Sequence, residues 1–308
     1  MKLFDMHCDT LYRAFTENST LYDDSFHISF GKAGCIHPYI QCLAVWIPDE
    51  YRDEKAWELF VSCRELLKSQ LEGKDIVWCK TAEDISAAAE SGRQGIILTV
   101  ESGAVIGNDL GKIQLLHDMG VRMMTLTWNG SNALGDGIGA ASDRGLTAFG
   151  KEAVREMERV GIIVDVSHAG EKLFDDVFSI ATKPFAASHS NVRSVAPHKR
   201  NLTDDQFRRL VGVGGLSGLN FCAEFLNKCK TKAGMYDIIK HTEHMISLGG
   251  AENIAFGADL DGAEIPEDIR GIESMGEIWH MFEEHFGSEL CSKLFFDNAL
   301  GFFSRYMG

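Results

Sequence analysis

Eight times along its 308 residues this chain repeats one pattern: a short apolar run, a turn, then an amphipathic stretch. The runs fall at 3–7, 40–47, 95–101, 121–128, 162–168, 184–189, 211–221 and 254–259. Several, such as Gly95-Ile96-Ile97-Leu98-Thr99-Val100, are apolar without strict alternation, as expected of strands covered on both faces. The stretches between most of them have helical spacing, at 55–72, 81–92, 108–119, 146–160, 203–210 and 236–248, with two more at 272–286 and 289–306 closing the chain. Their ends carry helix signals: Thr81 as an N-cap, Thr203-x-x-Gln206 as a capping box and Gly161 just past a helix end. Strands alternating with helices call for a parallel sheet with right-handed crossovers. Eight such units fit an α/β fold of the (β/α)8 TIM-barrel kind, a single domain over 1–308. An open doubly wound sheet is the alternative, but no G-x-G-x-x-G follows a strand, and the glycines of 212–218 sit inside one of the runs.

Nothing interrupts this plan. There is no low-complexity segment, charge block or Pro-rich linker that would mark a domain boundary. No run of 18 apolar residues offers a membrane span. Thirty Lys and Arg against 45 Asp and Glu leave a net charge of −15, which disfavours nucleic acid and anionic membranes as partners. Met1-Lys2 leads directly into the first run, so no leader is expected, and the eight cysteines contain no C-x-x-C pair. Free buried thiols and a cytoplasmic location are the natural expectation.

The runs are most informative where they stop. The first ends in His7 and Asp9, the third in Glu101, the fifth in His168, the sixth in His189 and the eighth in Asp259. In a barrel these ends converge on one mouth, where active sites form. His7 and Asp9 stand two apart, so on a strand they leave the same face, while Cys8 between them points to the other side and packs. Imidazole and carboxylate suit zinc or a similar divalent ion. Three His, an Asp and a shared Glu are enough for two ions bridged by a carboxylate and a hydroxide, a nucleophile available near neutral pH. Arg200, on the loop after the sixth run, has the fork geometry that grips a carboxylate. Asp259 could shuttle a proton, and it is favoured over Asp261, which lies past the strand. His241 and His244 share a helix face without a further ligand and read as packing; His27, His37, His117, His280 and His285 read as structural.

In order and spacing, these segments resemble the membrane dipeptidase (renal dipeptidase) family of metallopeptidases, in particular its non-exported bacterial members. The likeness runs end to end and includes Asp5-Met6-His7-Cys8-Asp9, Thr99-Val100-Glu101-Ser102-Gly103, Met124-Thr125-Leu126-Thr127, Val164-Asp165-Val166-Ser167-His168, Ser188-His189-Ser190, Arg200-Asn201-Leu202 and Gly257-Ala258-Asp259-Leu260-Asp261-Gly262. The resemblance implies a barrel of the amidohydrolase type with two zinc ions. His7 and Asp9 would hold one, His168 and His189 the other, and Glu101 both. Arg200 would bind the substrate's C-terminal carboxylate and Asp259 would transfer the proton. The family hydrolyses dipeptides, often with a D-residue on the C-terminal side, and forms dimers, which implies a homodimer here. The lipid anchor and interchain disulfide of mammalian members have no counterpart signal in this chain.

One departure stands out. In the family, Thr-Leu-Thr is followed by a His that stabilises the oxyanion, whereas here Thr127 precedes Trp128-Asn129-Gly130-Ser131-Asn132. Asn129 or Asn132 could supply the oxyanion donor, and Trp128 could wall the substrate pocket. The expected function is a zinc dipeptidase using a metal-bridging hydroxide on L-L and possible L-D dipeptides. A related hydrolase of another amide, a lactone or a β-lactam is the alternative within catalysis. A metal-binding scaffold without catalysis is the alternative outside it.

Overall fold

The structure is a computed structural model that describes residues 1–307. Nine parallel strands form one sheet: β1 Leu3–Cys8, β2 Tyr39–Trp46, β3 Ile76–Trp78, β4 Gln94–Glu101, β5 Val121–Thr125, β6 Ile163–Asp165, β7 Ala186–Ala187, β8 Leu216–Leu219 and β9 Ile254–Phe256. The order β2-β1-β9-β8-β7-β6-β5-β4 closes through a β2–β4 pairing, giving the expected eight-stranded barrel. The ninth strand, β3, lies outside the ring on the lower half of β4, beside the start of β5. Its three half-buried residues, Ile76-Val77-Trp78, are apolar but too few to be read as a strand from the sequence.

Other differences have local causes. The run expected as a strand over 211–221 begins in the helix Asp204–Gly212, and only Leu216–Leu219 is strand. Gly214, with φ 71°, makes the turn between them. Two helices without an expected counterpart, Thr10–Thr16 and Glu171–Ile180, fill the crossovers after β1 and β6. The closing segment is broken into Ser288–Ser292, a π-helical turn Lys293–Asp297 and a final helix Asn298–Met307. The cap signals hold: Thr81 and Thr203 make capping boxes, and Gly161 ends its helix in the left-handed region.

The barrel interior is layered. At its floor Phe4, Met6, Ile40, Ile97, Met123, Ile163, Ala186, Leu216 and Ala255 form one buried cluster, with a residue from each barrel strand, plugged by Phe296, Phe302 and Phe303. Two residues further along each strand the same face points inward again. There the side chains turn polar: Thr99, Thr125, Asp165 and Ser188 are all buried. Gly218 and Gly257 belong to this layer, and a Cβ on either would overlap the Ser188 carbonyl oxygen. The third step brings Glu101 and Asp259 to the mouth. No described helix is long and apolar enough to cross a membrane.

Candidate active site

His7 reaches the mouth by a different route from the parity expected. Asp5 pairs with Gln41 but Cys8 with Leu43, so three β1 residues oppose two on β2 and the strand bulges at Met6-His7. The buried Asp5 carboxylate accepts from the His7 and Ala258 amides and fixes the bulge. Asp9 then lies beyond the strand, just before the helix Thr10–Thr16. Cys8 faces away, as expected, and is buried against β2.

The five expected ligands converge. His7 Nε2 lies 3.6 Å from Asp9 Oδ2 and 3.8 Å from Glu101 Oε2. His189 Nε2 is 3.6 Å and His168 Nε2 2.8 Å from Glu101 Oε1. Asp259 Oδ1 is 3.8 Å from His7 Nε2. The 3.6–3.8 Å separations exceed a hydrogen bond and are close to the ~3.3 Å between two ligands of one tetrahedral ion with bonds near 2.0 Å. His7 Nε2, His189 Nε2 and Asp9 Oδ1 are buried without any hydrogen-bond partner, an arrangement that is costly unless a cation completes it. The donor set therefore fits one or two divalent ions of the zinc type.

The electrostatics agree. Burial alone would lower the His7 pKa, but Asp9, Glu101 and Asp259 outweigh it and raise it to about 10. Such a cluster of carboxylates favours a positive charge at its centre. Burial, then Asp9, pushes Glu101 well up, and burial raises Asp259 to about 6. Burial, followed by nearby cationic groups, holds His168 and His189 well below the usual imidazole range, in the neutral form that ligates.

A second tier aims these rings. Asn129 Oδ1 lies 2.9 Å from His168 Nδ1, and Ser188 Oγ lies 2.7 Å from His189 Nδ1. Ser188 in turn donates to Asp165, which also accepts from Thr125 Oγ1 and from the amides of Ser167 and Ser188. Asn220 Nδ2 donates to Asp259 Oδ2 at 2.9 Å. Sequence reasoning assigns no role to Asp165, Ser188 or Asn220, although Asp165 ends β6 and the other two fall just past β7 and β8. The left-handed backbone at His168 (φ 64°) and Asp259 (φ 60°) leaves no trace in the sequence, and for non-glycine residues it is strain of the kind that gathers at functional sites.

Asp261 has a different role. Its side chain is buried and accepts from Thr10 Oγ1, Arg13, and the His27 and Ile28 amides, tying the first helix to the following loop. Asn132 is likewise spent on its own loop, donating to Leu126 O and accepting from Leu134 N. His241 is buried between Val192 N and Leu226 O, and His244 pairs with Asp204.

Above the ligands opens a cavity of about 440 Å³. Tyr12, Trp46 and Trp128 form one wall, with Trp46 edge-on to both neighbours at 5.0 and 4.9 Å. Cys222, Glu224 and Phe225 form the facing wall. Arg200 lies beside Phe225, its guanidinium 5.4 Å from that ring. It is buried, with Nε and Nη2 unpartnered.

A parallel barrel with imidazoles and carboxylates gathered at its mouth defines a class, the metal-dependent hydrolases of the amidohydrolase type. Within that class the chain belongs to the membrane dipeptidase family, peptidase family M19, which matches residues 1–305. A metallopeptidase of Rhodobacter sphaeroides, solved with a phosphinate mimic of the dipeptide L-Ala-D-Ala, superposes with a TM-score of 0.93 over 99% of both chains at 26% identity. A family M19 dipeptidase also gives 0.93, at 27% identity over 100% of this chain and 99% of its own. An uncharacterised dipeptidase of Schizosaccharomyces pombe is 33% identical over 209 residues, 66% of this chain and half the length of that relative.

Proposed function

We propose that this barrel is a dipeptidase, cleaving the single peptide bond of L-L and L-D dipeptides with two zinc ions. The observation that carries the reading is the pairing, at one mouth, of an unpartnered ligand cluster with an unpartnered buried guanidinium. His7 and Asp9 would hold one ion, His168 and His189 the other, and Glu101 both. When bound, such a pair lowers the pKa of water toward neutrality and polarises the scissile carbonyl.

The chain's own residues supply the rest. Arg200 takes the substrate's C-terminal carboxylate, and the partnerless Nε and Nη2 are the donors it offers. Around the barrel, β7 and β2 are four strands apart by either path, β2-β1-β9-β8-β7 or β2-β4-β5-β6-β7. Arg200 follows β7 and Trp46 ends β2, so a dipeptide held at Arg200 points its N-terminal residue across the mouth to the Tyr12–Trp46–Trp128 wall. Asp259, held by Asn220, accepts the proton of the attacking water and passes it to the leaving amine. Asn129 Oδ1 engages His168, which leaves its amide nitrogen to donate to the oxyanion.

Arg200→Ala tests the assignment. KM for dipeptides should rise at least about tenfold, the cost of a lost charged hydrogen bond, with two metals per chain still present. Unchanged dipeptide turnover in this variant would remove the carboxylate clamp from the reading.

A further inference from the structure

The far end of the barrel holds a second polar cavity, of about 350 Å³, that peptide hydrolysis does not use. It lies at the N-terminal ends of β5, β6 and β7, against the final helix, on the face opposite the metal ligands. Its wall carries Lys80, His117, Arg122, Arg159 and Lys183, together with Tyr306, and no carboxylate among the described residues. In a chain of net charge −15 this concentration of cations is the exception.

Among the described residues neither Lys80, Arg122 nor Lys183 has a carboxylate within ion-pair distance; Arg159 is paired with Glu156, and His117 lies 3.5 Å from Asp118. The carboxylates nearest the cavity are committed elsewhere. Asp84 accepts from the Lys80 and Thr81 amides, Asp118 from Gln114, and Glu158 from Thr182 and the Lys183 amide. Burial, then Arg64 and Arg122, lowers the Lys80 pKa, and Asp84 offsets only part of this.

Two donors at the cavity remain open, one of them a buried hydroxyl. Arg122 is only 7% exposed; its Nε and Nη1 bind the carbonyls of Lys80, His117 and Val121, and its Nη2 makes no hydrogen bond among the described residues. Tyr306 is 8% exposed, and its hydroxyl is buried with no partner. Backbone carbonyls take Nε and Nη1 of Arg122, and Lys183 Nζ donates to the helix carbonyl of Glu158 at 2.7 Å; these contacts leave Arg122 Nη2, the orphaned phenol and the Lys80 ammonium without a hydrogen-bond partner among the described residues.

We propose that this cavity binds a phosphate-type anion, held by Arg122, Lys80, Lys183 and the Tyr306 hydroxyl. A tetrahedral oxyanion meets three cations and a neutral donor, and the volume leaves room for a small organic group on a phosphomonoester.

The test uses the metal-loaded full chain, with inorganic phosphate and glycerol 3-phosphate as probes and chloride at equal ionic strength as control. Binding is read by calorimetry and by thermal shift. Saturable binding is expected, weakened about tenfold or more in Lys80→Gln/Lys183→Gln and several-fold in Tyr306→Phe, with dipeptide hydrolysis unchanged in both. Lys183 is exposed and Lys80 half-buried, so both substitutions leave the core intact. Tighter binding of the monoester identifies a phosphorylated metabolite as the ligand, and equal binding identifies free phosphate. The same affinity in wild type and the double variant places the anion at the metal centre and overturns the proposal. So does the absence of any response beyond that of chloride.

Discussion

The reach of one side chain is set by what stands behind it. The ring of His189 meets Ser188 Oγ at Nδ1, and Ser188 is itself held by Asp165. With the serine hydroxyl donating to Asp165, its oxygen accepts from Nδ1–H, and the Nε2 lone pair is left facing the site. Asp165→Asn places an amide against the Ser188 and Thr125 hydroxyls and breaks this order. Metal affinity should fall about 10–100-fold with the fold retained, measured by competition with a chelator. Unchanged affinity would show that packing alone orients the ring. Asp259 carries a second prediction. Burial raises its pKa to about 6, and a proton acceptor must be ionised, so kcat/KM should fall as pH drops through that limb. Bound cations can only lower the value, so the limb should appear at or below about pH 6, and Asp259→Asn should abolish turnover with metals retained. The ligands were legible because each closes an apolar run, and this needs no knowledge of the backbone. The residues behind them were not, because a Ser or an Asp one step down a strand looks the same whether it holds a ligand or caps a turn.

At the scale of the element, the turn after β9 shows how little space separates structure from chemistry. Asp259 and Asp261 both adopt positive φ, 60° and 67°, and send their carboxylates in different directions. One points to His7 at 3.8 Å, while the other anchors Arg13 and the loop at His27. Gly262 follows, and a Cβ there would overlap Asp9 Oδ2 and press on Asp259 Oδ1. Gly262→Ala should therefore shift Asp9, lowering metal content toward one ion per chain and kcat with it. The melting temperature of the metal-free protein should barely move, because the change sits at the open mouth. Full metal content in this variant would show that the turn yields without disturbing Asp9. The parity argument for His7 and Asp9 brought them together for a reason the structure replaces. Strict alternation would set them on one face, whereas a bulge turns His7 in and Asp9 begins a helix. Register shifts of this kind depend on the partner strand, which a single strand's sequence does not show. The same holds for the run at 211–221, where a helix end and a strand are both apolar and one glycine turn divides them.

For the whole molecule the two ends of the barrel carry opposite charge problems. At the mouth, Asp9, Glu101 and Asp259 surround His7, and folding without metal forces them together. An ion that binds the native state and not the unfolded chain adds about 2.7 kcal/mol at a hundred times its Kd. Unfolding entropy near 2.1 cal/mol/K per residue makes each kcal/mol worth roughly 1.5 °C in a chain this long. Removing two such ions with a chelator should lower the melting temperature by about 8 °C, and returning zinc should restore it. His7→Ala, with one site spoiled, should lose about half of that response. The shift should be larger near pH 7.5 than near pH 5.5. Burial and Asp9 raise the Glu101 pKa, and protons on Glu101 and Asp259 relieve the repulsion in acid before any metal is removed. A metal-free protein that melts with the holoprotein at both pH values would mean that the carboxylates tolerate one another unaided, and the reading of their raised pKa values as demand for a cation would fall.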